Sequence, residues 1–140
     1  MATSQSTMDF LTDQLGGLSD IRYKKMFGEY ALYYNGKVVA LVCDDQLFIK
    51  PTDQGLLFIA RRLFGDELKF EKLSESKKVK AIEDARTQVE NPPYPGGKMW
   101  YLISGDLWDD REWMCGIVKL TASLVPYPKL KKKKPTIARV

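Results

Sequence analysis

The side chains in this sequence that could do chemistry are few, and they are acidic. Asp106, Asp109, Asp110 and Glu112 form its only dense carboxylate cluster. General acid–base catalysis needs two carboxylates held in unlike environments inside a cleft, so that one keeps its proton while the other loses it. These four stand just before an apolar periodic run, where carboxylates complement the positive end of a helix dipole. Helix capping is the reading they favour over catalysis or cation binding. Asp44-Asp45 separates two apolar runs and reads as turn chemistry. The chain has two cysteines, Cys43 and Cys115, no CxxC pair and no histidine. A thiol nucleophile at Cys115 would lack an imidazole to activate it, and a Cys/His metal site would lack its ligands. No GxSxG, Walker loop or GxGxxG pattern occurs. The expectation is a non-enzyme with no catalytic residue, no cofactor and no metal.

Residues suited to binding are better represented, and they fall in two stretches. The first is Met26-Phe27-Gly28 with Tyr30, beside the start of a strand pattern. A glycine there signals a bulge or a close backbone approach. Met26 and Phe27 read first as packing residues, with the lining of a site at the mouth of a sheet as the alternative. The second stretch is Asn91 to Lys98, NPPYPGGK. Its prolines fix φ and its glycines open conformations closed to other residues, which makes a stiff loop with a flexible end. It reads either as a turn into the next strand or as a binding loop offering Tyr94 as an aromatic contact and Lys98 as a charge.

The elements that must position these residues follow from periodicity. Met26 to Lys50 reads as a three-stranded antiparallel meander. Asn35-Gly36 is a type I′ turn signal, since both residues tolerate positive φ. Val38, Ala40 and Val42 should share one face of the middle strand, and Val39, Leu41 and Cys43 the other. With both faces apolar, that strand is expected to be central and covered on both sides. Tyr23 to Phe27 forms an extended lead-in, and Met99 to Ile103 a fourth strand. Met8, Leu11 and Leu15 predict a short first helix ending near Gly16-Gly17. Thr52 caps a second, with Leu56, Ile59, Ala60 and Leu63 inward, Arg61-Arg62 at its border and Gly65 as its stop. A charged helix starts near Ser76. In the last helix Trp113, Ile117, Leu120 and Leu124 make the apolar face, and Pro126 and Pro128 end it.

Composition sets the class. A chain of 140 residues, 44% hydrophobic and 29% charged, is most simply one soluble domain. No apolar run approaches the roughly 20 residues of a membrane span, so no membrane partner is expected. MATSQSTMDF has no secretory signal pattern, and the cysteine usage fits a cytoplasmic location. Residues 1–7 are expected to be a disordered N-terminus, 8–128 a single domain and 129–140 a basic tail. Lys129, Lys131, Lys132, Lys133, Lys134 and Arg139 hold six of the 22 basic residues; without them 16 basic residues face 18 acidic ones, a balance of −2. The net charge of +4 therefore belongs to the tail. Such a tail attracts nucleic acid non-specifically.

At the meander the chain resembles the N-terminal domain of the TfoX/Sxy family of bacterial competence regulators. Met26-Phe27-Gly28-Glu29-Tyr30, Tyr33, Asn35-Gly36, Leu47 and Lys50-Pro51 resemble that family's first block. Pro93-Tyr94-Pro95-Gly96-Gly97-Lys98 with Tyr101-Leu102-Ile103 resembles the second. Leu107, Asp109-Asp110 and Glu112-Trp113 before a helix resemble the third. The resemblance spans about Ile21 to Lys129 and implies a stand-alone N-terminal domain without the C-terminal one. The implied fold is α+β, with an antiparallel sheet of about four to five strands and flanking helices. The implied role is regulatory, with a protein partner: transcription machinery or a regulator like the cyclic-AMP receptor protein. The expected partner-binding residues are Met26, Phe27, Gly28, Tyr30, Lys50, Tyr94, Pro95, Gly96, Gly97 and Lys98. A homodimer is compatible with the sequence. Two alternatives stay open. One is a nucleic-acid-binding protein, if Arg22, Lys24, Lys25, Lys50, Arg61, Arg62 and Lys98 converge on one face and act with the tail. The other is a small-ligand binder or enzyme with a deep pocket.

Overall fold

A computed structural model describes residues 2–26 and 28–126; Phe27, Tyr127 and the whole basic tail lie outside the described residues. Six antiparallel strands form one sheet: β1 (Ile21–Met26), β2 (Glu29–Tyr34), β3 (Lys37–Cys43), β4 (Gln46–Ile49), β5 (Glu90–Asn91) and β6 (Trp100–Ile103), in the order β1-β2-β3-β4-β6-β5. Among the described residues five α-helices accompany it: α1 (Gln5–Gln14), α2 (Asp53–Phe64), α3 (Glu67–Glu71), α4 (Glu75–Val89) and α5 (Arg111–Leu124). The fold is α+β, with two strands' worth of sheet beyond the four that periodicity reveals. The lead-in is a full edge strand, β1, and β5 is a two-residue strand that alternation could not signal.

The meander forms because its turns are chemically specified. Asn35 and Gly36 take φ of 52° and 79°, and Asp44 and Asp45 take 53° and 60°. Both β2–β3 and β3–β4 thus close over two left-handed residues, whose twist matches that of the strands. One feature overrides simple alternation. Leu32 pairs with Ala40 and Tyr33 with Val38, so Val39 is a bulge residue with no Cα partner. Val39 and Ala40 are both fully buried in the main core. The expected split, with Val39 on the face of Leu41 and Cys43, fails for this reason.

Helices cover one face. Register places Tyr23, Leu32, Ala40, Ile49 and Tyr101 in one cross-strand row, and Lys25, Tyr30, Val42, Leu47 and Ile103 in the next. Leu32, Ala40, Val42, Leu47, Ile49 and Ile103 join Met8, Leu11, Leu56, Ile59, Ala85, Met114 and Ile117 from α1, α2, α4 and α5 in a single core. The other face carries the row Lys24, Ala31, Leu41, Phe48 and Leu102. Ala31, Cys43 and Phe48 are buried yet stand apart from that core.

Local chemistry explains the helix ends. The Thr52 hydroxyl accepts from Gly55 N at 2.9 Å, and Gly65 ends α2 at φ 95°. Asp110 caps α5 by accepting from Trp113 N at 3.0 Å. The inward stripe of α5 is Met114, Ile117, Val118 and Thr121, one residue round from the expected face, and Leu124 is exposed. The first helix begins at Gln5 rather than Met8. Ser4 caps it, and Thr3, inside the stretch expected to be disordered, is buried against Glu29 and Val42. A polar heptapeptide gives no hint that its threonine completes a distant turn.

Candidate functional site

The turn between β3 and β4 and the N-terminal segment build one wall of a site together. Glu29 Oε1 accepts from the Thr3 hydroxyl at 2.6 Å and from Asp44 N at 3.0 Å. Thr3 Oγ1 in turn accepts from Asp45 N at 3.2 Å. The Asp45 carboxylate accepts from Ser4 N at 2.9 Å and from the Thr7 hydroxyl at 2.8 Å. These bonds, the Ser4 N–H first, hold the Asp45 carboxyl below its ordinary range. Gly28 joins the same corner: its carbonyl accepts from Thr3 N at 3.1 Å, its φ is 83°, and a Cβ there would sit 3.4 Å from Ala2.

The second stretch supplies the opposite wall. Tyr94 to Gly97 is a turn closed by Gly97 N donating to the Tyr94 carbonyl at 2.9 Å. Pro95 stands at its second position and Gly96, at φ 81°, at its third, the arrangement of a type II turn. A Cβ on Gly97 would meet the Tyr94 ring at 2.8 Å. The ring therefore lies against a glycine, and Tyr94 is 56% exposed.

Between these walls lies a cavity of about 410 Å³ lined by Met26, Glu29, Tyr30, Leu41, Cys43 and Tyr94. It brings Met26 and Tyr30 of the first stretch together with Tyr94 of the second. The Tyr30 ring packs edge-on against Tyr23, with centroids 5.3 Å apart, so Tyr30 borders the cavity rather than offering its ring to it. Burial, with the charge of Glu29 adding to it, pushes the Cys43 thiol up to about 11. A thiol held that high is a poor nucleophile at neutral pH.

The remaining sequence-predicted residues divide. Gly96 and Gly97 shape the Tyr94 turn, and Gly28 shapes the Thr3 corner, without lining the cavity. Pro95 and Lys98 are exposed outside its lining. Lys50 lies beyond β4, donating its N–H to the Val39 carbonyl at 2.9 Å beside the bulge. Phe27, Lys129, Lys131, Lys132, Lys133 and Lys134 fall outside the described residues. Glu29, Leu41, Cys43 and Thr3 went unread as site residues. Alternation does place Leu41 with Cys43, but only the register shows that helices leave that face open.

Four of the basic residues fall on two elements. Arg61 pairs with Glu71 and Arg62 with Asp110 in the helical layer, whereas Arg22 and Lys24 sit on the edge strand β1, with Arg22 paired to Asp20 at 2.9 Å. Two members of the acidic cluster are engaged locally. Asp110 caps α5, and Asp106 accepts from the Ser104 hydroxyl, which lowers its carboxyl pKa. Among the described residues no group of three or more His, Cys, Asp or Glu could hold a metal ion, and no helix is long and apolar enough to cross a membrane. A groove of about 370 Å³ between α2 and α4 contains none of the sequence-predicted site residues.

Comparison with known proteins agrees with this architecture. The profile of the TfoX N-terminal domain matches residues 13–124. A relative from Spirochaeta aurantia, described as an uncharacterized 12.7 kDa protein in the trpE 5′ region, is 32% identical over 134 residues, covering 96% of this chain and 93% of the relative. The chain belongs to the TfoX N-terminal domain family.

Proposed function

We propose that this TfoX N-terminal domain is a non-enzymatic regulatory module that binds a protein partner through the helix-free face of its sheet. The observation that carries the reading is the meeting of the Met26–Tyr30 segment with the Tyr94 turn around one apolar cavity. Met26 and Tyr94 are 43% and 56% exposed there. Large apolar side chains gathered on an open face mark interaction surfaces. Family membership supports a regulatory-domain reading, and the partner class it suggests is a component of the transcription apparatus, including regulators like the cyclic-AMP receptor protein. The site offers no activated nucleophile: its thiol is pushed up to about 11.

The test is partner capture with matched surface variants. Met26→Glu and Tyr94→Ala should abolish retention of a partner that the unaltered chain holds. Leu68→Glu, on α3 at 75% exposure, should leave it intact. Equal retention by all three variants would remove this face from the interaction.

A further inference from the structure

The cavity beneath Tyr94 has a composition more specific than an apolar face needs. Its walls are a thioether, an aliphatic side chain and a high-pKa thiol from Met26, Leu41 and Cys43, with the Tyr94 ring at the rim. Into this apolar surround the fold places one carboxylate, Glu29. Both hydrogen bonds to that carboxylate fall on Oε1, from Thr3 and from the Asp44 N–H. Those donors are neutral. Among the described residues no Lys or Arg forms an ion pair with Glu29. A half-buried carboxylate with one oxygen oriented by two donors and no cationic partner is a built acceptor for a charge-assisted hydrogen bond. An aromatic ring and a polarizable sulfur beside it favour a cation on an apolar body. At about 410 Å³ the space is of the size that holds a small organic molecule.

We propose that this cavity is a receptor site for a small organic cation, an ammonium group on an aromatic or branched apolar stem. The ammonium donates to Glu29, and the stem lies between Leu41, Met26 and the Tyr94 ring. The Tyr94 turn acts as a flap: its ring is held by contact with Gly97 and by the Pro95-Gly96 backbone, not by burial. The site goes beyond protein recognition and does not depend on it, because binding is measured on the chain alone.

The experiment is an NMR titration of the full chain with phenethylammonium, beside 2-phenylethanol and phenylacetate as neutral and anionic analogues of the same size. Phenethylammonium should shift the amides of Glu29, Leu41, Cys43 and Tyr94 saturably, and the alcohol should bind about tenfold more weakly. Phenylacetate should not bind. Glu29→Gln keeps an oxygen that accepts from Thr3 and Asp44 but removes the charge, and should weaken phenethylammonium about tenfold. Tyr94→Ala should weaken it while leaving the melting temperature unchanged. Absence of saturable binding, equal affinity for the alcohol, or undiminished affinity in a folded Glu29→Gln protein would overturn the proposal. The analogue comparison stands on the unaltered chain even if that variant does not fold.

Discussion

Tyr94 owes its position to a neighbour without a side chain. Any Cβ at Gly97 would enter the ring, at 2.8 Å from Cε1 and 3.0 Å from Cδ1. Gly97→Ala should therefore displace the ring from its place over the cavity while leaving the core untouched. The expected outcome is a melting temperature within a few degrees of the parent, about what ±0.5 kcal/mol produces, together with altered Tyr94 ring shifts in the NMR spectrum. Asp45 gives a second prediction at this scale. Its carboxyl is held below the ordinary aspartate value by the Ser4 N–H, then by the Thr7 hydroxyl. A depressed carboxyl contributes stability that is fully present above the unfolded-state value near about 4 and is lost as pH falls through the folded-state value. The stability difference between the parent and Asp45→Asn should accordingly be constant above about pH 5 and vanish in acid, as read from melting temperature against pH. A difference that grew on acidification would contradict the assignment.

Among the elements, α5 shows what periodicity can and cannot locate. The heptad-like set Trp113, Ile117, Leu120 and Leu124 identifies a helix of the right length, yet the buried stripe runs through Met114, Ile117, Val118 and Thr121. The shift arises because α2 packs closely: a Cβ on Gly116 would lie 3.0 Å from the Phe58 ring, and Phe58 stacks on Trp113 with centroids 5.5 Å apart. Trp113 thus serves the interhelical contact at the border of the core. Met114→Ala should cost about 2–5 kcal/mol of unfolding free energy, and Leu124→Ala no more than about 0.5 kcal/mol, as measured by denaturant unfolding. The β3 bulge is the corresponding case in the sheet. Val39 at full burial adds an apolar side chain to the helix side, and Leu41 and Cys43 are left to the other face.

For the whole molecule the decisive asymmetry is that helices cover one side of a six-stranded sheet. Met8, Leu56, Ile59, Met114 and Ile117 close that side, while Met26 and Tyr94 stay exposed. Charge is distributed in keeping with this. Without residues 129–139 the chain is slightly acidic, and Arg61 and Arg62 are engaged within the helical layer. DNA binding should therefore depend on the tail. By fluorescence anisotropy, truncation after Pro128 should remove it, and whatever the full chain shows should fall steeply with salt and ignore sequence. Sequence-selective binding that survived truncation would assign nucleic-acid recognition to the folded part instead.

The sequence by itself determined whatever is encoded over a few neighbouring residues. Asn35-Gly36 and Asp44-Asp45 specified two hairpins because their residues accept positive φ. Thr52, Gly65 and the Asp109-Asp110 pair marked helix ends because capping is settled within one turn, and the structure selects Asp110 of that pair. The order of these signals was enough for the α+β class, and the resemblance of three motif blocks to those of the TfoX N-terminal domain pointed to the family. Tertiary structure alone decided which face stays open, since that depends on the β2–β3 register and on where α1, α2, α4 and α5 pack. It alone joined Thr3 to Glu29 across 26 residues and brought Tyr94 over Leu41 and Cys43. Such contacts arise from chain closure over long separations, for which no local residue pattern carries a signal.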